Sequence, residues 1–274
     1  MSDIVASAVT ALFVPGDRPD RYAKAVASGA DVVIIDLEDA VAPPDKKGAR
    51  ESVINTLTDD DLRTLVRIND PRSPDGHADL EALARLGSGA AHGLLGVVVP
   101  KADDPAALAA VTAALGDGLD LVALVESARG VAAVAALAAA PGVTRLAFGA
   151  LDFALDAGSD VDALTGQVAR AQVVIACRAA GLPGPLESPS TELRNPELVE
   201  STSRAARALG FTGRLCIHPG QLEPVRAGFA PTEAEIAWAR RVAGTGDSAA
   251  RVGDQMVDRP VLERARAILS RSPR

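Results

Sequence analysis

The chain has 274 residues, is 48% hydrophobic and carries a formal net charge of −8. This length and apolar content suffice for a large core in one or two domains, and α/β barrels fill it as a single domain. The acidic balance excludes a global nucleic-acid footprint, and 3% aromatic residues leave no stacking platform for single strands.

Residues 10–14 (TALFV) are a short apolar run ended by Pro15-Gly16, a first strand. Helical spacing follows over 18–28, with Asp17 placed to cap it and Pro19 in its first turn. Residues 31–35 (DVVII) are a β-branched run, the mark of a strand buried on both faces, and end in Asp36, Glu38 and Asp39. Pro43-Pro44 opens a helix to about Leu57. Residues 64–68 (TLVRI) are a third strand, closing on Arg67 and Asn69, before a helix to about Leu86. Residues 94–99 are the fourth strand, followed by Lys101, and 105–115 an alanine-rich helix.

The stretch 119–152 reads strand, helix, strand, with Glu126 just past LVALV and Asp152 just past RLAFGA. A long helix spans 161–180. Residues 183–189 are a weak extended segment with Glu187, the candidate seventh strand. A helix over 196–209 leads to an eighth strand, GRLCI at 213–217, ending in His218-Pro219. Helical patterns at 221–227 and 232–242, a loose glycine-containing segment at 244–253 and a last helix at 260–270 complete the chain.

Eight short strands alternating with helices predict a parallel sheet, and eight units at this length predict a closed (β/α)8 TIM barrel with a C-terminal helical tail. No GxGxxG follows the first strand, which lowers the dinucleotide-binding alternative. The expected division is a barrel over residues 1–243 and a hinge and helical tail over 244–274. Cys177 and Cys216 lie in apolar stretches and make no disulfide framework, which fits a reducing cytoplasm. Residues 1–9 lack a basic stretch followed by an apolar block, so no secretory leader is expected. No uncharged apolar run approaches membrane-spanning length, so no membrane partner is expected either.

Chemistry in such barrels sits where strands end. Those positions hold Asp36, Glu38, Asp39, Arg67, Asn69, Lys101, Glu126, Gly149, Asp152, Glu187 and His218. Glu126 and Asp152 follow neighbouring strands and project from one rim. Two hard oxygen ligands suit Mg²⁺, which keeps several waters; the bland alternative is helix capping. So many ionisable strand ends exceed what capping needs, which favours the metal. Arg67, on an otherwise apolar strand, needs a partner: a substrate carboxylate held in a two-point fork, an internal ion pair with Asp36 or Glu38, or both together. The three acids read as orienting groups around Arg67 rather than as further metal ligands. Lys101 is either a Schiff-base nucleophile or, the favoured reading, a solvated or ion-paired lysine. His218 reads as structural and Cys216 as inert core. Arg18 and Lys24, in a basic first loop, face either polyphosphate or solvent.

These residues resemble the citrate lyase β-subunit-like and malyl-CoA lyase family of the HpcH/HpaI aldolase superfamily. The matching segments, in order along nearly the whole chain, include LFVPGDRPDRYAKA, ADVVIIDLEDAVAPPDK, VRIN, VVVPKA, LVESARGV, RLAFGALDFALDAG, GRLCIHPGQLEPV, FAPTEAEIAWARRV and QMVDRPVL. The resemblance implies a Mg²⁺-dependent acyl-CoA lyase that cleaves or condenses a β-hydroxyacyl-CoA such as malyl-CoA or citramalyl-CoA. By position it implies Glu126 and Asp152 as metal ligands, with Arg67, Glu126, Gly149 and Ala150 binding the keto-acid fragment. Phe13, Arg18 and Lys24 match positions that contact coenzyme A. Asp258, by its residues alone a solvated loop position, matches an acid/base aspartate delivered from a neighbouring subunit's tail, in a homotrimer or a hexamer of two trimers. Many members carry Glu-Asp after the sixth strand, where this chain has Leu151-Asp152, and residues 183–195 also depart from the common wording. The alternatives are a Schiff-base aldolase using Lys101, and a non-catalytic or complex-dependent citrate lyase-type subunit.

Overall fold

A β-branched strand such as DVVII has two apolar faces to cover, and a barrel wrapped in helices covers both. The computed structural model describes residues 3–58, 62–86, 92–244, 250–252 and 255–271. Eight strands close into a barrel in chain order: β1 (Thr10–Pro15), β2 (Val32–Asp36), β3 (Thr64–Arg67), β4 (Leu94–Val99), β5 (Asp120–Val125), β6 (Val143–Phe148), β7 (Leu186–Glu187) and β8 (Gly213–Cys216). All neighbours are parallel, and β8 closes onto β1 with Thr10 opposite Arg214 and Leu12 opposite Cys216. The expected (β/α)8 barrel is therefore the fold.

The helices are α1 (Asp3–Ser7), α2 (Tyr22–Val26), α3 (Lys46–Leu57), α4 (Pro74–Ala84), α5 (Pro105–Leu115), α6 (Ala128–Ala138), α7 (Ala150–Ala157), α8 (Leu164–Ala179), α9 (Pro196–Leu209), α10 (Leu222–Phe229), α11 (Glu233–Ala243) and α12 (Arg259–Ser270). Side chains alternate along each strand. Ile34, Leu65, Val98, Leu124 and Leu215 fill the barrel, while Val33, Val66, Val99 and Val125 pack outward under the helices. Arg145 on β6 seals the N-terminal end. It is fully buried and donates to the carbonyls of Val5, Ala8 and Gly184 and to the Thr212 hydroxyl at 2.8–3.0 Å. With only neutral acceptors around it, burial lowers its pKa to about 10.

Beyond the barrel, α11 opens with a capping box between Thr232 and Glu235 and packs on α12. Ala239, Val242, Leu262, Ala265 and Ile268 form a small core of their own, separate from the barrel's. A two-stranded antiparallel ribbon, β9 (Ala250–Val252) with β10 (Gln255–Val257), accompanies them. Of the expected hinge at 244–253, residues 245–249 and 253 lie outside the described residues.

Four features differ from the sequence expectation. α1, α7 and the β9–β10 ribbon are additional, and β7 is only two residues long. α7 was hidden because its eight residues read as the loop carrying Asp152; Gly158, left-handed at φ 63°, ends it. β7 is short because Pro183, Pro185 and Pro189 remove ladder donors around it.

Candidate active site

The strand ends converge on a cavity of about 660 Å³ lined by Arg67, Glu126, Gly149, Ala150, Asp152 and Phe13 among others. On the β2–β3 side, Asp36 accepts a two-point fork from Arg67, Nε to Oδ1 at 2.7 Å and Nη2 to Oδ2 at 2.6 Å. Arg67 Nη1 stands 3.0 Å from Glu38 Oε2. Lys101 Nζ donates to the other oxygen of Glu38 at 2.8 Å. Burial opposes a charge on Arg67, but Asp36 and Glu38 outweigh it and raise its pKa. Burial likewise pushes the Glu38 carboxyl up, against the pull of Arg67 and Lys101. The Arg67 guanidinium also lies over the Phe13 ring, 4.8 Å from its centroid. The internal ion pairs therefore exist, and the arginine is held in one orientation by two acids.

Glu126, just past β5, is 3% exposed. Its Oε1 accepts the Lys101 backbone amide at 2.8 Å. Lys101 holds φ at 50°, in the left-handed region that a side chain rarely adopts, and this turn aims its amide at Glu126. On the other side Gly149 presses on the same carboxylate: a Cβ there would stand 2.6 Å from Glu126 Oε2. Ser188 joins β7 to this corner, accepting the Ala150 amide at 2.7 Å and donating to the Phe148 carbonyl at 2.8 Å. Asp152 is exposed in the first turn of α7, where the helix dipole favours its charge.

Burial, with the nearby charges of Glu38 and Asp152, pushes the Glu126 carboxyl up to about 8. A buried carboxylate beside two other acids calls for a cation. Glu126 and Asp152 fit Mg²⁺ in kind: both are hard oxygen donors lining one cavity. Among the described residues no group of three His, Cys, Asp or Glu is placed to enclose an ion. Two protein carboxylates with the remaining positions open to water and substrate is the Mg²⁺ pattern rather than that of a closed protein cage.

Other expected residues have different surroundings. Arg18 is half-buried and forks onto Asp20 at 2.9 and 2.8 Å, and Lys24 is exposed on α2; neither lines the cavity. Asp258 caps α12, accepting the Val261 amide at 3.2 Å, and does not line this chain's cavity. His218 caps a short turn through Nδ1, accepting the Gly220 amide at 3.0 Å. Cys177 and Cys216 are buried free thiols. Asn69 is tied to Asp79, which also accepts from Arg50, behind the rim. The Lys101 ammonium is held by Glu38, which raises its pKa and keeps it protonated, the opposite of what a Schiff-base amine needs.

Sequence reasoning passed over Arg170 on α8, Ser188 and Arg214 on β8, all of which line the cavity. For Arg214 the signal was present: an arginine within an apolar strand, as with Arg67. Arg170 sits at an ordinary helix position and gives none.

Residues 10–219 match the family described as HpcH/HpaI aldolase/citrate lyase. A citrate lyase subunit beta-like protein of Mycobacterium tuberculosis is 38% identical over 271 residues, covering 95% of this chain and 94% of that protein. A (3S)-malyl-CoA thioesterase of Cereibacter sphaeroides is 34% identical over 267 residues, covering 95% and 91%. The crystal structure of CitE from Mycobacterium tuberculosis in complex with magnesium, acetoacetate and coenzyme A superposes with a TM-score of 0.84 at 35% identity, covering 97% of this chain and 98% of that one.

Proposed function

Because the chain belongs to the HpcH/HpaI aldolase/citrate lyase family, we propose that it is a Mg²⁺-dependent carbon–carbon lyase of CoA esters. Its substrate in this reading is a β-hydroxyacyl-CoA such as malyl-CoA or citramalyl-CoA, cleaved to a keto acid and an acyl-CoA or formed from them. The carrying observation is the buried Glu126 carboxylate beside Asp152 and an acid-oriented Arg67, in one cavity. The magnesium and coenzyme A in the related CitE crystal structure support the cofactor and the substrate class.

Glu126 and Asp152 hold the metal. Bound there, Mg²⁺ supplies Lewis-acid polarisation of the substrate's hydroxyl or keto oxygen. Arg67 has five N–H donors and commits two of them to Asp36, leaving three for its ion pair with Glu38 and for the keto-acid carboxylate. Gly149 and Ala150 border that fragment. Phe13 on β1, Arg18 in the loop that follows and Lys24 on α2 meet coenzyme A. Asp258 carries the proton at the acyl α-carbon: it protonates the enolate in cleavage and abstracts the proton in condensation. The separate core of the C-terminal unit supports delivery of Asp258 to a neighbouring copy's cavity, in a homotrimer or a pair of trimers. Buried free cysteines fit the cytoplasm, and no helix among the described residues is long and apolar enough to cross a membrane.

The test is to incubate the pure chain with Mg²⁺ and a panel of hydroxyacyl-CoA esters and identify products by mass. Cleavage that EDTA abolishes is expected; cleavage at an undiminished rate after EDTA treatment overturns the metal assignment. No turnover without a partner favours the complex-dependent subunit. The thioesterase among the relatives favours a second reading, hydrolysis following condensation, which free CoA and a hydroxy diacid among the products identify.

A further inference from the structure

The side of the cavity under β7 and β8 carries charge that the chemistry above does not use. Glu187 on β7 is buried and accepts from Arg170 Nε through Oε2 at 2.8 Å. Its Oε1 takes the Ser188 amide at 2.7 Å. Arg214 on β8 is 7% exposed and turns toward α9, where its Nη1 donates to the hydroxyls of Thr202 at 2.8 Å and Ser203 at 2.9 Å and to the Val199 carbonyl at 3.4 Å. All three acceptors are neutral. Two guanidinium groups thus share a single carboxylate, leaving a net charge of +1. Arg67, at the other pole, faces two carboxylates.

Hydrogen-bond accounting points the same way. Arg214 Nε and Arg170 Nη1 are buried donors without an acceptor. A charged donor left unpaired in the interior is unfavourable, and buried polar groups are normally satisfied. Arg170, Arg214 and Glu187 line the same cavity as Glu126 and Asp152, with the Thr191 and Thr202 residues beside them. The cavity therefore has an acidic pole that fits a cation and, on its β7–β8 side, two arginines that share the Glu187 carboxylate, with Asp162 also on that cavity's wall and the Arg170 guanidinium stacked on the Phe148 ring at 5.1 Å.

We infer that Arg170 and Arg214 form a second anion subsite, which takes a carboxylate at the far end of the substrate's acid fragment and so favours, among β-hydroxyacyl-CoA esters, those that release a dicarboxylic keto acid over malyl-CoA and citramalyl-CoA, whose keto-acid fragments carry a single carboxylate. This inference rests on the proposed placement of the acid fragment at Glu126 and Asp152. The fork geometry of guanidinium matches a carboxylate, and the neighbouring hydroxyls supply further donors.

Equilibrium binding with Mg²⁺ tests it, using malate and lactate, two stable 2-hydroxy acids that differ by one carboxylate. The unmodified protein is expected to bind malate at least about tenfold tighter, the worth of one charged hydrogen bond. R170M and R214M should each bring the ratio toward one while leaving lactate affinity unchanged. Sulfate, titrated into the unmodified protein, should compete with malate and not with lactate, so the test stands even if a variant fails to fold. A ratio near one in the unmodified protein, a ratio that survives both substitutions, or equal competition by sulfate against both acids overturns the subsite. If neither acid binds, the placement at Glu126 and Asp152 fails instead. Radiolabelled sulfate retained by the protein and lost in R214M then still supports the anion subsite, and no retention overturns it.

Discussion

Substituting Gly149 by alanine perturbs the metal end of the cavity with one methyl group. Gly149 has φ −106° and ψ 95°, a conformation open to any residue, so no backbone strain accompanies the change. The added carbon would stand 2.7 Å from Glu126 Cβ and 2.6 Å from its Oε2. Carbon atoms pack at about 3.5–4.0 Å, so the Glu126 side chain must retreat by roughly 1 Å. Its other oxygen is fixed by the Lys101 amide at 2.8 Å, so it cannot retreat and keep that bond. Overpacking of this kind lowers stability by about 1–3 kcal/mol. A misplacement of about 1 Å at a reacting centre costs on the order of a hundredfold in rate. The expected result is G149A folded, with unchanged far-UV circular dichroism, weaker Mn²⁺ binding by electron paramagnetic resonance, and kcat on the cleaved CoA ester down about a hundredfold. Full activity with undiminished Mn²⁺ affinity would refute the view that Gly149 seats the Glu126 carboxylate.

Other outcomes follow from the same contacts. R67M leaves Asp36 buried without its cation and Glu38 with Lys101 alone, and should destabilise the chain by about 3–5 kcal/mol in denaturant titration; a shift under 1 kcal/mol (roughly the value of a surface pair) would place Asp36 in solvent instead. Sodium borohydride with a keto acid should leave Lys101 unmodified by peptide mass mapping, because Glu38 keeps its amine protonated. K101G should retain Mn²⁺ affinity within about threefold, since the contact to Glu126 is a backbone amide and glycine accepts φ 50° freely. For pH, burial opposes the charge of Glu235, but the Thr232 amide and hydroxyl and Arg207 bring its pKa down to about 2 from an ordinary 4.5. A depressed acid stabilises the fold above its unfolded pKa and ceases to do so as pH falls through the folded one. The stability gap between the wild type and E235Q should therefore be full above pH 4.5 and vanish toward pH 2; a gap independent of pH would assign it to packing.

Much of the architecture was legible in the chain because barrel strands buried on both faces must be apolar throughout. DVVII, LLGVVV and LVALV have no other economical place in a protein of this size. The alternation with helices then fixed the count of eight, and with it the rim on which Glu126, Asp152 and Arg67 meet. Residence on one rim is a consequence of parallel strands, so it needed no coordinates. The environments of those groups did. That Glu126 is buried against Gly149 and the Lys101 amide, that Arg67 is forked by Asp36, and that Lys101 is an ion-paired support are facts of contacts 23 to 63 residues apart in sequence. Local pattern carries no information about such pairs, because each partner is an ordinary strand-end residue until the barrel closes. The same holds for Arg170, Glu187 and Arg214, which lie on α8, β7 and β8 and become one cluster only where two-residue β7 opens a way to them. Composition and periodicity determined the barrel and its reactive rim; tertiary packing alone decided which rim charges are neutralised and which are left facing the cavity.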